Sequence, residues 1–434
     1  MNIAMFTNTF TPHVGGVARS VQGLADELRR MGHAVLVVAP SFEGSARNEP
    51  GVLRVPAVQH FNGSDFSLPV PVFGSMSGVL EAFRPDVVHS HHPFLLGYSA
   101  LRIAAAFAVP IVFTHHTRYE QYTHYVPGDS SALKHFVIEL VTGYCNLCSG
   151  VIAPSGSIAD ILVDHGVKTA IQVIPTGVDP LYFEVPESAP SRQDLGIPEH
   201  ALVLGHVGRL APEKNLHYLA ECISSYLHRD TEAHFLMAGE GAVKPDMLAL
   251  FESRGVLDRI HSLGVLSRTE LAGIYRLMDL FAFTSCSETQ GLVLAEAMAA
   301  GTPVIAVDAP GVRDVIVDFR NGRLLAADRP EDYVGSIAWF AGLDDDRRQQ
   351  LRASARSTAE GLSLASCSGA VLALYRSHIG TRPALEQVAG SRWHQARKRI
   401  RREFEILGNY GHAIEETIRW IPLQKKRGID LNPT

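Results

Sequence analysis

Short apolar runs alternate along the chain with segments whose apolar residues recur every three or four positions. The first run covers residues 2–7 and precedes a loop that contains Gly15 and Gly16. Apolar side chains then share one helical face: Val17, Val21, Leu24, Leu28 and Met31. Residues 34–39 form a second continuous apolar run. This order of strand, loop, helix and strand is typical of parallel sheets covered by helices on both faces.

The same alternation continues and then repeats after an interruption. Further strands are predicted at residues 87–88, 111–114, 151–153 and 173–174. Between residues 179 and 200 the pattern lapses at four prolines, Pro180, Pro186, Pro190 and Pro198. A second series follows, with strands at 201–207, 234–239, 280–284 and 304–307 and helices at 216–227, 268–277 and 292–300. We therefore expect an α/β protein with two facing Rossmann-like domains, an inter-domain cleft, and ligands at the carboxyl ends of strands.

Composition and charge narrow the function classes. The 434 residues are 46% hydrophobic and 19% charged, which is ordinary globular composition, and the net charge of −6 argues against a chain-wide nucleic-acid-binding surface. Residues 381–434 nevertheless hold 11 basic and 6 acidic residues. Five cysteines are too few for a disulfide scaffold, so we expect a cytoplasmic protein. The first residues lack the features of a signal peptide, and no membrane-spanning helix is predicted.

The most informative segment is residues 284–306, where a predicted strand ends in a loop of small residues and a helix opens near Gly291. An open helix N-terminus offers unpaired N–H groups and partial positive charge, which suit a diphosphate. Glu288 precedes the helix, and Glu296 lies about 10 Å farther along its axis. One carboxylate could then bind a sugar hydroxyl and the other a ribose. The alternative is two solvated carboxylates, one on a loop and one on a helix surface.

A second segment places two cations in one loop after a predicted strand. Arg209 and Lys214 lie five residues apart in the sequence Gly-Arg-Leu-Ala-Pro-Glu-Lys. Fixed positive charge stabilises an anionic leaving group, and the pair is therefore a candidate phosphate clamp. Each cation alone would be interpreted as a surface residue.

These segments, together with the residues 238–241 turn (Ala-Gly-Glu-Gly) and the Gly15-Gly16 loop, resemble the retaining family-4 glycosyltransferases of the GT-B fold. Their order and spacing match over about residues 1–375. The resemblance implies an N-terminal acceptor domain over residues 1–185, a C-terminal nucleotide-sugar domain over residues 196–375, and a basic helical tail over residues 380–434. It also implies retention of anomeric configuration without a protein nucleophile, a metal or another cofactor.

The resemblance assigns roles to individual residues. Arg209 and Lys214 would bind the donor diphosphate, Glu288 the hydroxyls of the transferred sugar, and Glu296 the ribose. The remaining assignments are the amides at Gly291 and Leu292 for the distal phosphate, Gly15 and Gly16 for the diphosphate or the acceptor, and His116 as the active-site histidine. The adjacent His115 is the alternative residue for this role.

Three other groups have competing interpretations. The run of residues 344–346, all Asp, fits a helix N-terminus better than a metal site. His89, His91 and His92 could supply metal nitrogens or contact acceptor hydroxyls. Cys145 and Cys148 have the spacing of a redox motif, but they lie in a predicted helix, where buried thiols are the simpler explanation.

The acceptor is indicated by weaker features. Residues 114–127 form an aromatic, histidine-rich loop similar to that of bacterial diacylglycerol glucosyltransferases, and the basic tail combines cations with large apolar residues. Such a tail could lie on an anionic leaflet or pack on the N-terminal domain. We expect the protein to transfer a hexose, namely glucose, from a UDP-linked sugar to a diacylglycerol-type lipid. We expect it to be a cytoplasmic enzyme that works at the inner face of the plasma membrane. The alternatives are a soluble or polysaccharide acceptor, or a non-catalytic nucleotide-sugar-binding protein.

Overall fold

The computed structural model describes residues 1–13, 15–45, 49–59, 67–70, 73–123, 129–184, 189–326, 328–380 and 392–426. The chain divides into two compact units. The first unit contains Met1–Gly177 and Cys367–Thr434, and the second contains Val178–Ser366. The segment expected as a tail therefore belongs to the same unit as the N-terminal residues. Each unit is described separately below.

The first unit is built on a seven-stranded sheet whose paired strands are all parallel. The strands of this part of the chain are β1 (Asn2–Phe6), β2 (Ala34–Pro40), β3 (Val52–Val55), β4 (Ala57–Val58), β5 (Leu68–Pro69), β6 (Val87–Ser90), β7 (Ile111–Thr114), β8 (Gly150–Ala153) and β9 (Ile171–Val173). The sheet order is β3-β2-β1-β6-β7-β8-β9, while β4 and β5 form a separate antiparallel pair. Its central strands are buried because helices cover both faces.

In the described part of the chain, five α-helices alternate with these strands. They are α1 (Gly16–Arg30), α2 (Phe73–Phe83), α3 (Leu96–Phe107), α4 (Ser131–Leu147) and α5 (Gly156–Asp164). In α1 the buried face includes Val21 and Leu28, as the apolar spacing predicts, whereas Met31 lies just beyond the helix and is exposed.

The second unit repeats the plan with a six-stranded parallel sheet of order β12-β11-β10-β13-β14-β15. Its strands are β10 (Val203–Val207), β11 (His234–Ala238), β12 (Ile260–Gly264), β13 (Leu280–Phe283), β14 (Val304–Val307) and β15 (Gly322–Leu325). Its helices are α6 (Leu216–Arg229), α7 (Lys244–Ser253), α8 (Arg268–Leu277), α9 (Leu292–Ala299), α10 (Pro330–Ala341) and α11 (Asp345–Gly361).

Both sheets have a topological switch point, where two neighbouring strands send the chain in opposite directions across the sheet. It lies between β1 and β6 in the first sheet and between β10 and β13 in the second. Crevices outside the carboxyl ends of such strands are where open α/β sheets bind ligands. The loop after β10 carries the candidate cations, and the loop after β13 carries Glu288 and leads into α9, which carries Glu296. This arrangement confirms the expected fold class of two Rossmann-like sheets.

The last two helices of the described residues are long: α12 (Leu364–Gly380) and α13 (Arg392–Lys426). From Cys367 onward they belong to the first unit, where α13 packs against α3 and α4. One face of α13 therefore packs on helices of the N-terminal domain, which is one of the two arrangements considered for the tail. Among the described helices, none is both long enough and apolar enough to cross a bilayer.

Candidate active site

The N-terminus of α9 has the backbone geometry of an anion site. Gly291 precedes the helix with a φ of +69°, in the left-handed region, and a Cβ there would lie 2.7 Å from the Leu294 Cδ1 atom. The left-handed φ therefore favours glycine at this position, and a larger residue would also have to displace the Leu294 side chain. Because Gly291 has no side chain to cap the helix, the first backbone N–H groups, including that of Leu292, are directed at whatever occupies this end.

Lys214 and Glu288 meet at this end of the sheet. The Lys214 Nζ atom lies 2.5 Å from the Glu288 Oε1 atom, and each side chain is only 17% exposed. The two loops are tied together by further hydrogen bonds. The Thr284 hydroxyl donates to the Lys214 carbonyl at 3.0 Å, and the Ser287 hydroxyl donates to the Glu213 carbonyl at 3.4 Å. The two predicted motifs, 74 residues apart in sequence, therefore form one cluster.

The protonation state of Glu288 is set by opposing effects. Burial raises the pKa of its carboxyl. The Lys214 ammonium and hydrogen bonds from Lys214 and Ser285 lower this pKa by more than burial raises it, so it lies below its ordinary value. Glu288 is therefore ionised at neutral pH. The Lys214 ammonium has three N–H donors, so it can bind Glu288 and a phosphate oxygen at the same time.

Arg209 occupies the rim of the same loop. Its guanidinium is 54% exposed and bonds the nearly buried Glu213 carboxylate at 2.6 Å. The loop is packed directly on the turn that follows β11. A Cβ on Gly239 would lie 1.9 Å from the Gly208 carbonyl oxygen, and one on Gly241 would lie 2.2 Å from the Leu210 carbonyl oxygen. The glycines of the Ala-Gly-Glu-Gly turn therefore allow the close packing that holds Arg209 in place.

Glu296 is not the solvated carboxylate of the alternative interpretation. It lies in the second turn of α9 and is 2% exposed, and the Tyr275 hydroxyl of α8 donates to its Oε2 atom at 2.9 Å. Burying a carboxylate costs folding free energy, and the hydrogen bond from a tyrosine hydroxyl offsets part of that cost. Such a residue is therefore a candidate for a specific role. Tyr275 lies 21 residues earlier in the chain, and the sequence pattern did not indicate it.

Removing the Tyr275 hydroxyl should affect both stability and donor binding. We expect Tyr275→Phe to destabilise the protein by about 1–3 kcal/mol and to raise the donor KM several-fold, because a buried carboxylate loses a hydrogen-bond donor. Thermal unfolding and donor titration would measure the two effects. Tyr226→Phe is a matched control, since it removes a 3.2 Å hydroxyl bond to Asp230 in the same unit. A donor KM that changes equally in both variants would contradict the role given to Glu296.

His206 is a site residue that the sequence analysis missed. It lies on the buried strand β10, stacked on Phe281 and Phe283, and its Nδ1–H donates to the Ala282 carbonyl at 3.0 Å. Its Nε2 atom is buried without a hydrogen-bond partner among the described residues. Burial and the nearby Lys214 charge lower the pKa of His206 to about 4, so the ring is neutral at pH 7. The sequence did contain a signal for His206, because it is a polar residue in an otherwise apolar strand.

In the first unit, Gly15 and Gly16 form the start of α1. Gly15 precedes the helix in an extended conformation, no side chain caps it, and the first turn contains no acidic residue. Gly16 is exposed. The end of β1 therefore leads into an open helix N-terminus, which is the geometry expected of a loop that faces an anion or a polar acceptor.

His116 belongs to a stack of histidines at the carboxyl ends of β6 and β7. Its Nε2 atom lies 2.9 Å from the His91 Nδ1 atom, with the two rings stacked. His91 in turn lies against His89, with ring centroids 4.1 Å apart. His89 is held by the Tyr375 hydroxyl at 2.6 Å and the Thr114 hydroxyl at 2.7 Å. One of the two facing nitrogens of His91 and His116 must donate, so their tautomers are coupled.

The neighbouring histidines are arranged differently. His115 is 4% exposed and contacts the Phe113 and Tyr119 rings, while His92 accepts a hydrogen bond from the Asn8 backbone N–H at 3.1 Å. The structure thus groups His116, and not His115, with the histidines of β6. No three His, Cys, Asp or Glu side chains in the described part of the chain converge as a metal site.

The two remaining motifs have structural explanations. Asp344 accepts a hydrogen bond from the Arg347 backbone N–H at 2.8 Å and caps α11, as expected of an Asp-rich helix start. Cys145 and Cys148 are buried free thiols, and burial raises the pKa of each. High thiol pKa values disfavour the reactive thiolate, so the buried-thiol interpretation holds.

The histidines of the first unit predict sensitivity to acid. Burial lowers the pKa of His89 and His92 to about 3 and that of His115 to about 4, and it places His91 and His116 well below 6.5. Below pH 6.5 the unfolded chain binds these protons and the folded one does not. Stability is therefore complete above about pH 6.5 and is lost as the pH falls, by up to about 1.4 kcal/mol per pH unit for each group. Calorimetry between pH 7.5 and 5 should show a falling Tm, whereas a constant Tm would contradict these pKa values.

Two family models match the chain in succession. The model described as Glycosyltransferase Family 4 matches residues 14–181, and the model described as Glycosyl transferases group 1 matches residues 187–358. Among curated relatives, the alpha-monoglucosyldiacylglycerol synthase of Streptococcus pneumoniae is 32% identical over 343 residues, covering 78% of this chain and 77% of the relative. The GDP-mannose-dependent alpha-mannosyltransferase of Corynebacterium glutamicum is 30% identical, covering 82% and 84%.

Solved structures identify the fold. Anabaena HepE in complex with UDP and glucose superposes with a TM-score of 0.67 at 20% identity, covering 87% of this chain and all of that one. At this identity the likeness shows the fold alone. Together with the two parallel sheets, it confirms the GT-B architecture expected from the motifs.

Proposed function

The chain belongs to glycosyltransferase family 4 and is a glycosyltransferase of GT-B fold, and on that premise we propose that it moves glucose from UDP-glucose to a diacylglycerol-type lipid with retention of configuration. The observation that carries the proposal is the buried Lys214–Glu288 pair at the open N-terminus of α9. Positive charge, N–H donors and an ionised carboxylate are thereby grouped where a diphosphate joined to a sugar requires them.

Each part of the donor is given a partner by this proposal. Lys214, Arg209 and the N–H groups at Gly291 and Leu292 hold the diphosphate, and Glu288 accepts hydrogen bonds from the hexose hydroxyls. Glu296, buried beside Tyr275, holds the ribose. These contacts require no bound metal, because two cations and a helix N-terminus stabilise the leaving diphosphate.

The proposed reaction breaks the bond between the hexose C1 atom and the diphosphate oxygen. The acceptor hydroxyl oxygen forms the new bond on the same face of the sugar, and its proton passes to the departing phosphate oxygen. Lys214 and Arg209 stabilise the charge that develops on that phosphate. In the first unit we propose His116, neutral at pH 7, as the active-site histidine, and Gly15 and Gly16 as contacts of the diphosphate or of the acceptor.

A glucosyl acceptor of the diacylglycerol type is supported by two relatives that are 32% and 30% identical, both named alpha-monoglucosyldiacylglycerol synthase. The basic segment that ends the chain fits an enzyme working at the anionic inner face of the plasma membrane. A relative named for GDP-mannose makes the donor the first point to test.

The test is a donor and acceptor panel with radiolabelled sugars. Purified enzyme receives UDP-glucose, UDP-galactose or GDP-mannose with diacylglycerol in mixed micelles, and Lys214→Ala serves as the inactive control. We expect label from UDP-glucose in the organic phase as a glucosyl lipid, from which an α-glucosidase releases the labelled glucose. Label that stays in the aqueous phase would contradict the lipid acceptor, and label from GDP-mannose alone would contradict the donor. EDTA should leave the rate unchanged.

A further inference from the structure

The last helix of the chain, α13, is fixed to the first unit by specific contacts. Arg102 of α3 forms a two-bond ion pair with Glu403 at 2.5 and 2.9 Å. The Asn409 amide donates to the Leu140 carbonyl of α4 at 3.1 Å, at a point where Gly143 has no room for a side chain because a Cβ would overlap Asn409. Ile406 and Ala413 of α13 are buried. The side of α13 that faces the unit is therefore defined.

A second face of α13 is apolar and exposed. Five large side chains lie on it with exposed fractions of 50–71%: Ile400, Phe404, Leu407, Ile414 and Ile418. Their spacing of four, three, seven and four residues keeps them in line along about 27 Å of helix. At 100° per residue this stripe is centred about 120° around the helix from the buried Ile406 and Ala413. Contiguous apolar surface of this extent marks an interaction site.

The charge of the same helix favours one kind of partner. Residues 392–426 contain nine basic and four acidic residues, a net charge of +5. The basic residues cluster at both ends of the stripe, five of them at 397–402 and two at 425–426. Two copies of this helix would repel each other, whereas an anionic lipid surface complements both its charge and its apolar stripe.

Helix α4, which lies beside α13, is not suited to contact with an anionic lipid surface. In its sequence α4 has one cation, Lys134, and α13 packs along it more extensively than along any other element. An apolar stripe flanked by cations is therefore presented by α13 instead.

We propose that α13 lies in the plane of an anionic leaflet with the Ile400–Phe404–Leu407–Ile414–Ile418 stripe inserted among the acyl chains. The inference rests on the proposed function, because a lipid acceptor places the enzyme at the membrane. It adds a defined docking surface, outside the matched family segments, that holds the first unit at the bilayer. The depth expected of such an interfacial helix is about 5–10 Å, which is less than a bilayer leaflet.

The experiment measures binding of the full chain to vesicles in the absence of substrates. Flotation compares vesicles of phosphatidylcholine alone with vesicles that also contain phosphatidylglycerol, an anionic lipid that attracts polybasic segments. The stripe variant is Phe404→Ser with Leu407→Ser and Ile418→Ser. The matched control replaces three other exposed apolar residues, valines that are 51–60% exposed: Val163→Ser, Val265→Ser and Val317→Ser.

We expect wild type and control to bind anionic vesicles, and the stripe variant to bind at least tenfold more weakly. High salt should weaken binding of the wild type, because it screens the cations. Equal binding by the stripe variant and the wild type would overturn the proposal. So would a dimer in solution that the stripe variant abolishes without any vesicle binding, since the occupant would then be a second copy. Because no substrate is present, an error in the proposed reaction would leave this binding result unchanged.

Discussion

Replacement of Lys214 by alanine should lower the rate of hexosyl transfer by two or more orders of magnitude, and Glu288→Ala should do the same. In the proposed site Lys214 supplies fixed positive charge to the leaving diphosphate, and fixed donors of this type are worth about 100- to 1,000-fold in rate. The ammonium and the carboxylate are 2.5 Å apart and mostly buried, so each variant also leaves an unpaired charge behind. Initial rates with saturating acceptor measure the loss.

The double variant separates a shared role from two independent ones. Because the two side chains act as one unit, we expect Lys214→Ala with Glu288→Ala to lose much less than the product of the single losses. Arg268→Ala is the control for the general loss of an ion pair, since Arg268 bonds Asp179 at 2.9 Å on the surface of the same unit. Near-normal rates in either single variant would overturn the site assignment.

Gly239→Ala should be the most damaging of the glycine substitutions in the second unit. Its new Cβ would lie 1.9 Å from the Gly208 carbonyl oxygen, and its φ of +139° is one that alanine rarely adopts. The loop that carries Arg209 must therefore shift. We expect a loss of about 2–4 kcal/mol in the free energy of unfolding, together with a more than tenfold fall in kcat/KM.

The steric part of this effect can be isolated with a second glycine. Gly255 also has a positive φ, +65°, but a Cβ there meets no atom within 4 Å. Gly255→Ala should therefore cost only about 1 kcal/mol, from the backbone conformation alone, and leave the reaction rate intact. Denaturant unfolding and rate measurements compare the two variants. Equal losses would contradict the close packing of the 208–210 loop on the turn after β11.

The elements that the sequence predicts well are those with strong local signals. Helix α8 matches its predicted bounds because Ser267 and Glu270 form a capping box that defines its start. Strand β14 also matches, because a continuous apolar run follows Gly301-Thr302-Pro303. Strands β3, β12 and β15 were missed. They lie at or next to sheet edges and are only partly buried, so their apolar pattern is weak.

Part of the candidate site could be predicted from the sequence for the same reason, namely strong local signals. The loop after β10 and the start of α9 each carry their own turn residues, so the sequence placed Arg209, Lys214 and Glu288 at strand ends. It did not reveal which atoms touch. The contact between His91 and His116 depends on β6 and β7 being neighbours in the sheet, and Tyr275 reaches Glu296 from another helix. Such contacts follow from tertiary packing and leave no local pattern.

We propose that a nucleoside diphosphate sugar binds in the second unit at the N-terminus of α9. A crystal structure of the protein with UDP-glucose tests it most directly. We predict phosphate oxygens within about 3 Å of the Lys214 Nζ atom and the N–H groups at Gly291 and Leu292, with the hexose hydroxyls on Glu288 and the ribose on Glu296. A donor bound elsewhere, or bound with its phosphates remote from Lys214, would contradict the claim.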